Sequence, residues 1–343
     1  MKNIRILLLL VMLSCSYSVV ATQQGTAVDW RNDYSNMVKP LNCSGTIIAG
    51  KFVLSAAHCI PVNANQHYIL FSNLERTSFV NQFVHPLWSG GPTKNDVVIW
   101  ELGNVPPTDD ITFFANLNVE TVSDDDLIGL YGFGYHASNA SDLNMARIRT
   151  VNYDAIDVDN QFVKAVDIGQ GQMVSGDSGG PWLNTSGEIV SISSATQPSS
   201  GGGSDSMIGI NLTKSRDFIL DTVDGWHYPT LANGNNLTIT VQSLHQNVVS
   251  DVAYTDGNVV ITGGSCVGKA VITAYEKCTY EVQATGEGKL YLTADEVISI
   301  NKPAPTPSSD SGGGSGGGSI GWLALVMLLG VKFQRELGAT RHA

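Results

Sequence analysis

Short apolar segments separated by turn residues recur from about Trp30 to Thr222, and this pattern restricts the fold most. The clearest segments are Gly45–Gly50, Phe52–Leu54, Tyr68–Phe71, Asp96–Trp100, Leu127–Tyr131 and Glu188–Ile192. β-Branched residues favour strands, and the frequent glycine and asparagine between the segments indicate tight connections. Only Ser215–Val223 has helical spacing of its apolar residues. This part of the chain therefore predicts an all-β barrel or sandwich.

A second group of strand-like segments follows between Thr230 and Ile300. Its members are Leu237–Val241, Asn258–Thr262, Ala270–Tyr275, Thr279–Val282 and Lys289–Thr293. Strands of this length and number predict a small β-sandwich domain. His245 is the single histidine of this stretch, and a lone histidine is more often structural than catalytic. We therefore expect an accessory domain here.

The first 21 residues have the pattern of a secretory signal peptide. Lys2 and Arg5 precede an apolar run, and Val19–Ala21 offers small residues for cleavage. The run is too short to span a membrane. Cys15 leaves a minor alternative, acylation as a lipoprotein.

The C-terminal end predicts a linker and an anchor. Residues 302–319 begin with three spaced prolines and continue as a flexible Gly/Ser tract. Residues 320–331 are strongly apolar, and Lys332 and Arg335 follow them. This run is shorter than the roughly 20 residues that cross a bilayer. Because the linker isolates it from any core, we expect an apolar helix in the membrane, with the cations on the cytoplasmic side.

Charge and cysteine content exclude several functions. The chain has 343 residues, a net charge of −12 and only 15% charged residues, which argues against nucleic acid as a partner. Removal of the signal leaves Cys43, Cys59, Cys266 and Cys278, and an even number in an exported chain indicates disulfides. Three pairings are open, of which Cys43–Cys59 and Cys266–Cys278 are local. The chain has no CxxC or HxxxH spacing, so we expect no metal site and no cofactor.

Three short motifs carry candidate chemistry. Gly176–Pro181 presents Ser178 between glycines, either as a nucleophile beside main-chain N–H donors or as a plain surface turn. His58 lies beside Cys59 after a strand-like segment, where it is a general base or a structural histidine. Asp96 opens an apolar strand, and a buried carboxylate there needs a partner such as a histidine N–H.

In the order His58, Asp96, Ser178, these motifs resemble the trypsin/chymotrypsin-like serine endopeptidase family. The resemblance covers about Cys43–Thr222. It is carried by Cys43-Ser-Gly-Thr-Ile-Ile48, Leu54-Ser-Ala-Ala-His-Cys59, Asn95-Asp-Val-Val-Ile99, Tyr131-Gly-Phe-Gly-Tyr135, Gly176-Asp-Ser-Gly-Gly-Pro181 and Val190-Ser-Ile192. It implies a trypsin-like double β-barrel with the site between the barrels, and protein or peptide substrates.

The resemblance also implies roles for individual residues. Ser178 attacks the scissile carbonyl, His58 serves as base and then acid, and Asp96 orients His58. The N–H groups of Gly176 and Ser178 form an oxyanion hole. Cys43 pairs with Cys59.

One departure from the family concerns activation. The family usually gains activity by cleavage before an Ile-Val-Gly-Gly-like start, whose new amine pairs with the aspartate that is Asp177 here. No such start precedes Cys43. An atypical N-terminus or another mechanism must then order the site. The alternative is a catalytically weak or inactive homologue that acts as a surface binding or adhesion protein.

A second departure concerns the substrate pocket. Gln172 occupies the pocket floor, where a tryptic enzyme has aspartate, and Val174 stands where the family has a cysteine. Ser191 lies on the strand expected to pair with substrate, and Ser193 and Met207 stand where glycines usually line the pocket. We therefore predict a narrowed, non-tryptic pocket for small or uncharged side chains.

The tail from Ser311 to Arg335 resembles the GlyGly-CTERM sorting signal of Gram-negative bacteria. This implies removal of the tail by a rhomboid-type protease, a transient membrane contact, and a protein that is secreted or held at the cell surface. The expected order is a signal peptide (1–21), a protease domain (22–228), an Ig-like β-sandwich (229–301), a linker (302–319) and a sorting segment (320–343).

Overall fold

The computed structural model describes residues 25–62, 68–134, 143–151, 159–198 and 205–303. Within these ranges the chain forms twenty strands, one α-helix and two short 3-10 helices, which confirms the all-β prediction. The predicted signal peptide, the linker from residue 304 and the apolar tail lie outside the described residues. None of the helices described has the length and apolar character needed to cross a membrane.

The first sheet is a half-barrel of seven antiparallel strands in the order β6-β5-β2-β3-β4-β8-β7. Its strands are β2 (Met37–Pro40), β3 (Gly45–Ile48), β4 (Phe52–Ser55), β5 (Ile69–Leu70), β6 (Arg76–Thr77), β7 (Phe79–Val84) and β8 (Val98–Leu102). β3 and β4 are buried along their whole length, so their apolar side chains form the centre of this core.

The second sheet closes on itself as a six-stranded barrel, β9-β10-β11-β14-β13-β12, and β12 pairs back to β9. Its strands are β9 (Leu127–Gly132), β10 (Asn144–Val151), β11 (Phe162–Gln170), β12 (Pro181–Leu183), β13 (Ile189–Gln197) and β14 (Ser206–Asn211). The short strand β1 (Thr26–Ala27) adds to β10. Barrel and half-barrel together fit the predicted trypsin-like double barrel.

The predicted helix is present as α1 (Arg216–Val223), after a 3-10 turn (Leu212–Ser215). It buries Ile219 and Leu220 and ends where Asp224 adopts a left-handed conformation with φ 38°. The other 3-10 turn, Ala57–Cys59, lies in the first half of the chain.

The C-terminal strands form one further sheet, in the order β15-β17-β19-β20-β16, with β18 on β19. They are β15 (Gly225–His227), β16 (Leu231–Ala232), β17 (Asn236–Leu244), β18 (Tyr254–Gly263), β19 (Lys277–Tyr291) and β20 (Val297–Ile300). The two segments predicted at Thr279 and Lys289 are parts of the single strand β19. The predicted strand Ala270–Tyr275 is wrong: Ile272 makes only an isolated bridge to Val249. The two-layer sandwich and the domain boundary at residue 228 stay predictions.

This sheet packs directly against the barrels. The Gln242 side chain, fully buried on β17, accepts from the Phe114 N–H at 3.0 Å and donates to the Phe114 carbonyl at 2.8 Å. Leu244 and Tyr275 share one apolar core with residues of both barrels. The described residues up to Lys302 belong to one compact unit, so the C-terminal sheet contributes to the core that supports the barrels.

Candidate active site

His58 and Asp96 are brought together by the pairing of β4 with β8, in which Ser55 lies opposite Val98. The chain leaves β4 into the 3-10 turn that carries His58, and the Cys43–Cys59 disulfide fixes this turn. Its presence, with Cys266–Cys278, confirms the two local pairings.

The Asp96 carboxylate is completely buried and has three hydrogen-bond donors. Its Oδ2 lies 2.6 Å from His58 Nδ1 and accepts from Ser194 Oγ at 2.7 Å. Its Oδ1 accepts from the His58 main-chain N–H at 2.8 Å. A carboxylate in this position selects the tautomer with the proton on Nδ1, so Nε2 of His58 is left as a hydrogen-bond acceptor. The His58 side chain is 22% exposed, which leaves it open to a substrate.

Ser178 lies beside this pair, at the first inner position of a tight turn. The carbonyl oxygen of Ser178 is 3.7 Å from the Sγ of Cys59, the residue after His58. The Gly180 N–H donates to the Asp177 carbonyl at 2.8 Å, and Gly179 has φ 80°, which defines a type II turn. The predicted turn with a serine at its apex is therefore present.

A second type II turn precedes the first. The Asp177 N–H donates to the Val174 carbonyl at 3.1 Å, and Gly176 takes the third position with φ 99°. Within the described part of the chain, the N–H groups of Gly176 and Ser178 donate to no main-chain or side-chain acceptor. Both donors are therefore available to a ligand at this turn.

Asp177, the last residue of the Gly176 turn, anchors this turn through its side chain. It is fully buried, and its two oxygens accept from the N–H groups of Gly134 and Val174, each at 2.8 Å. Burial raises the pKa of this carboxyl to about 7, while the two hydrogen bonds and the charge of Lys39 lower it. The carboxyl thus links the turn to the loop after β9.

The pocket residues predicted on β13 do not line a cleft. Ser191 and Ser193 are both fully buried, and the Ser193 hydroxyl accepts from the Trp182 indole N–H at 2.8 Å. A β-bulge follows these two residues, because Ser193 pairs with Gly209 while Ala195 pairs with Ile208, the preceding residue of β14. A bulge inserts one extra residue and re-aims the side chains that follow. Ser194 is that extra residue.

Sequence reasoning missed Ser194, although its hydroxyl binds Asp96. The available signal was the Ser193–Ser194 pair, but only the bulge decides which hydroxyl reaches the carboxylate.

Gln172 is half-buried just before the Val174 turn. The atoms of Cys43, His58 and Cys59 lie within 4.8 Å of one another, but both sulfurs belong to the disulfide and are not free thiolates.

An antiparallel barrel and half-barrel, with a buried aspartate bonded to a partly exposed histidine beside a glycine-rich serine turn, are typical of the serine protease class of fold and site. A family model described as Trypsin matches residues 20–219, more than half of the chain. The chain therefore belongs to the trypsin family of serine proteases.

Solved structures with a similar fold include two proteases of Vibrio cholerae. The secreted serine protease VesC is 16% identical, with a TM-score of 0.45 over 79% of this chain and 68% of that chain. The VesB protease is 18% identical, with a TM-score of 0.47 over 80% and 96% of the two chains. An inactivated protease paralogue of the scabies mite is 18% identical, with a TM-score of 0.47 over 56% and 97%. A comparison with curated proteins gave no match.

Proposed function

We propose that this chain is a serine endopeptidase in which Ser178 forms the acyl-enzyme, His58 is the general base and acid, and Asp96 orients His58. The observation that carries the proposal is the 2.6 Å contact between His58 Nδ1 and the buried Asp96, beside the Ser178 turn. A buried carboxylate that bonds a partly exposed histidine is the arrangement a general base requires.

The first half of the reaction cleaves the peptide bond. Ser178 Oγ attacks the scissile carbonyl while His58 Nε2 takes the hydroxyl proton, and Asp96 stabilises the resulting imidazolium. The carbonyl oxygen gains negative charge and accepts from the N–H groups of Gly176 and Ser178. The tetrahedral intermediate then expels the amine, which takes the proton from His58, and leaves an ester on Ser178.

Water completes the cycle. His58 Nε2 removes a proton from a water molecule as its oxygen attacks the ester carbonyl, and the same two N–H groups hold the second oxyanion. When this intermediate breaks down, the proton returns to Ser178 Oγ and the acid product leaves.

The substrate pocket favours small, uncharged side chains in this proposal. The Met207 side chain is buried with Met173, Trp182 and Val190 in one apolar cluster, and its sulfur lies 3.2 Å from the Met173 main-chain nitrogen. A thioether here occupies space that a glycine would leave open. The neutral Gln172 offers no charge to an arginine or lysine side chain.

We further propose that the protein is exported. Two disulfides form in oxidising compartments, and residues 1–21 have the composition of a signal peptide. The apolar tail would hold the chain transiently at the membrane until a rhomboid-type protease removes it, which leaves a secreted or surface-held enzyme of a Gram-negative bacterium. The C-terminal sheet would serve as its accessory domain.

The decisive experiment is labelling of the purified protein with a fluorophosphonate probe, which phosphonylates an activated serine with loss of fluoride. We expect labelling of the wild type and none of Ser178→Ala. Absence of labelling in a well-folded wild type would overturn the proposal. A peptide library, cleaved by the same preparation, tests the pocket, and strong cleavage after arginine or lysine would contradict it.

A further inference from the structure

The loop that presents Ser178 has no covalent support in this chain. Val174 occupies the position where a cysteine would fasten it, and no cysteine occurs between Cys59 and Cys266. Glycine at 176 and 179 gives the loop access to several backbone conformations. Its shape therefore depends on non-covalent contacts.

Ser44 supplies a group of such contacts. It follows Cys43 in the connection between β2 and β3 and is 1% exposed. Its N–H donates to the Ser178 carbonyl at 2.8 Å, and its hydroxyl donates to the Gly176 carbonyl at 2.8 Å. The same hydroxyl accepts from the Phe133 N–H at 3.0 Å, and its carbonyl accepts from the Ser55 hydroxyl at 2.8 Å.

Two of these bonds end on Gly176 and Ser178, the residues whose N–H groups are available to a ligand. Type I and type II turns differ by a flip of the central peptide, here the Ser175–Gly176 peptide. That flip would turn the Gly176 N–H away from the substrate carbonyl. The Ser44 hydroxyl binds the Gly176 carbonyl. The carboxyl of the next residue, Asp177, binds the N–H groups of Val174 and Gly134. With both anchors in place, the turn keeps the conformation with φ 99° at Gly176.

Packing keeps Ser44 in place. A side chain at Gly180 would lie 3.1 Å from the Ser44 Cβ, and one at Gly179 would lie 2.5 Å from the Ser44 carbonyl oxygen. The two glycines therefore let the reactive turn rest directly on Ser44. The first half-barrel thus contacts the loop of the second barrel through Ser44, through Ser55 and Ala56, and through the adjacent disulfide.

We propose that Ser44 is a positioning residue that fixes the Gly176 turn in its donor-presenting form and takes over the task of the missing covalent link at Val174. Ser44 touches neither substrate nor reacting atoms and acts through Gly176 and Ser178. This inference rests on the proposed serine endopeptidase function.

The test compares Ser44→Ala with wild type in kcat, KM and affinity for a small alkyl boronic acid, which forms a tetrahedral adduct on the serine. Loss of one oxyanion donor typically lowers the rate by ~10²–10³, and partial disordering of the donors should cost less, about 10- to 100-fold in kcat. The boronic acid should bind more weakly by the same factor, because it resembles the transition state, while KM stays unchanged.

Ser243→Ala is the matched control. Ser243 is also a fully buried serine, and its hydroxyl lies 3.1 Å from His245 Nδ1, in the C-terminal sheet. We expect it to lose stability but not kcat. Equal loss of kcat in both variants, or a loss in Ser44→Ala without weaker boronic acid binding, would overturn the inference. If the wild type is active and Ser44→Ala keeps its kcat and its boronic acid affinity, only the positioning role of Ser44 is overturned. A wild type that the fluorophosphonate probe does not label would overturn the proposed function.

Discussion

The two barrels and the C-terminal sheet both bury polar side chains, but they use them in different ways. In the barrels, Asp96, Asp177 and Ser44 all bind groups of one site, at His58 and in the Gly176 turn. A buried polar group is costly unless it is hydrogen-bonded, so these groups fix each other's positions. Two N–H donors of the turn are left for a ligand.

In the C-terminal sheet, two buried polar side chains bind main-chain groups across the boundary with the barrels. Gln242 binds both peptide groups of Phe114, and His227 binds the Ala49 N–H at 3.1 Å and the Thr112 carbonyl at 3.0 Å. The difference is that buried polar groups hold the candidate site together in one region and join two surfaces in the other.

The largest expected effect separates two carboxylates, the buried Asp96 of the barrels and the half-buried Glu296 of the C-terminal region. Asp96→Asn removes the acceptor that sets the His58 tautomer, so we expect kcat to fall about 10⁴-fold, or about 5.5 kcal/mol of barrier. Glu296→Gln should leave kcat unchanged, because the amide can accept from the Trp226 N–H and donate to the Thr293 hydroxyl. Steady-state kinetics measure kcat for both variants. A similar loss of kcat in both would contradict the different uses of carboxylates in the two regions.

A smaller effect separates two glycines with positive φ. A Cβ at Gly179 would lie 2.7 Å from the Ala56 nitrogen, whereas a Cβ at Gly268 would meet nothing within 4 Å. Gly179→Ala combines a left-handed conformation with overpacking, so we expect a loss of about 2–5 kcal/mol of unfolding free energy. Gly268→Ala should lose only about 1 kcal/mol. Urea denaturation measures both, and equal losses would show that backbone strain alone governs these sites.

The smallest effect is a pH dependence that belongs to the C-terminal sheet. Burial lowers the pKa of His227 to about 4, and its neighbours are two peptide groups and the rings of Phe113 and Phe114. The folded protein therefore binds the proton less well than the unfolded chain, whose histidine pKa is about 6.5. Stability from this residue is complete above pH 6.5 and declines as the pH falls toward 4, by at most about 3 kcal/mol.

His227→Gln removes this titration. Its unfolding free energy should be lower at pH 7, because glutamine cannot reproduce both ring hydrogen bonds, and the gap to wild type should narrow toward pH 4. Thermal unfolding between pH 4 and 7 measures the difference. A constant gap across this range would show that His227 does not couple the sheet to pH.

Much of the fold and of the candidate site could be predicted because the signals are local. Short apolar segments between turn residues predicted β3, β4, β8, β9 and β17, and the helical spacing predicted α1 within one residue. The motifs around His58, Asp96 and Ser178 indicated a serine protease because the chemistry requires those residue types in fixed local surroundings.

Other features depended on contacts between distant parts of the chain. Ala270–Tyr275 has strand composition, but it meets only one bridging partner. Ser191 and Ser193 were predicted to line the substrate pocket, but both are fully buried. The bulge after Ser193 directs the Ser194 hydroxyl to Asp96. Strand register depends on the partner strand, so composition alone cannot decide which face a side chain takes.

By itself, the sequence determined the strand-rich fold class and the motifs around His58, Asp96 and Ser178, since each depends on near neighbours in the chain. Tertiary structure alone decided that Ser194 binds Asp96, that Ser44 supports the Gly176 turn and that Gln242 holds the C-terminal sheet to Phe114. Each of these is a hydrogen bond between groups far apart in the chain, and only the folded arrangement of the sheets brings them within 3 Å.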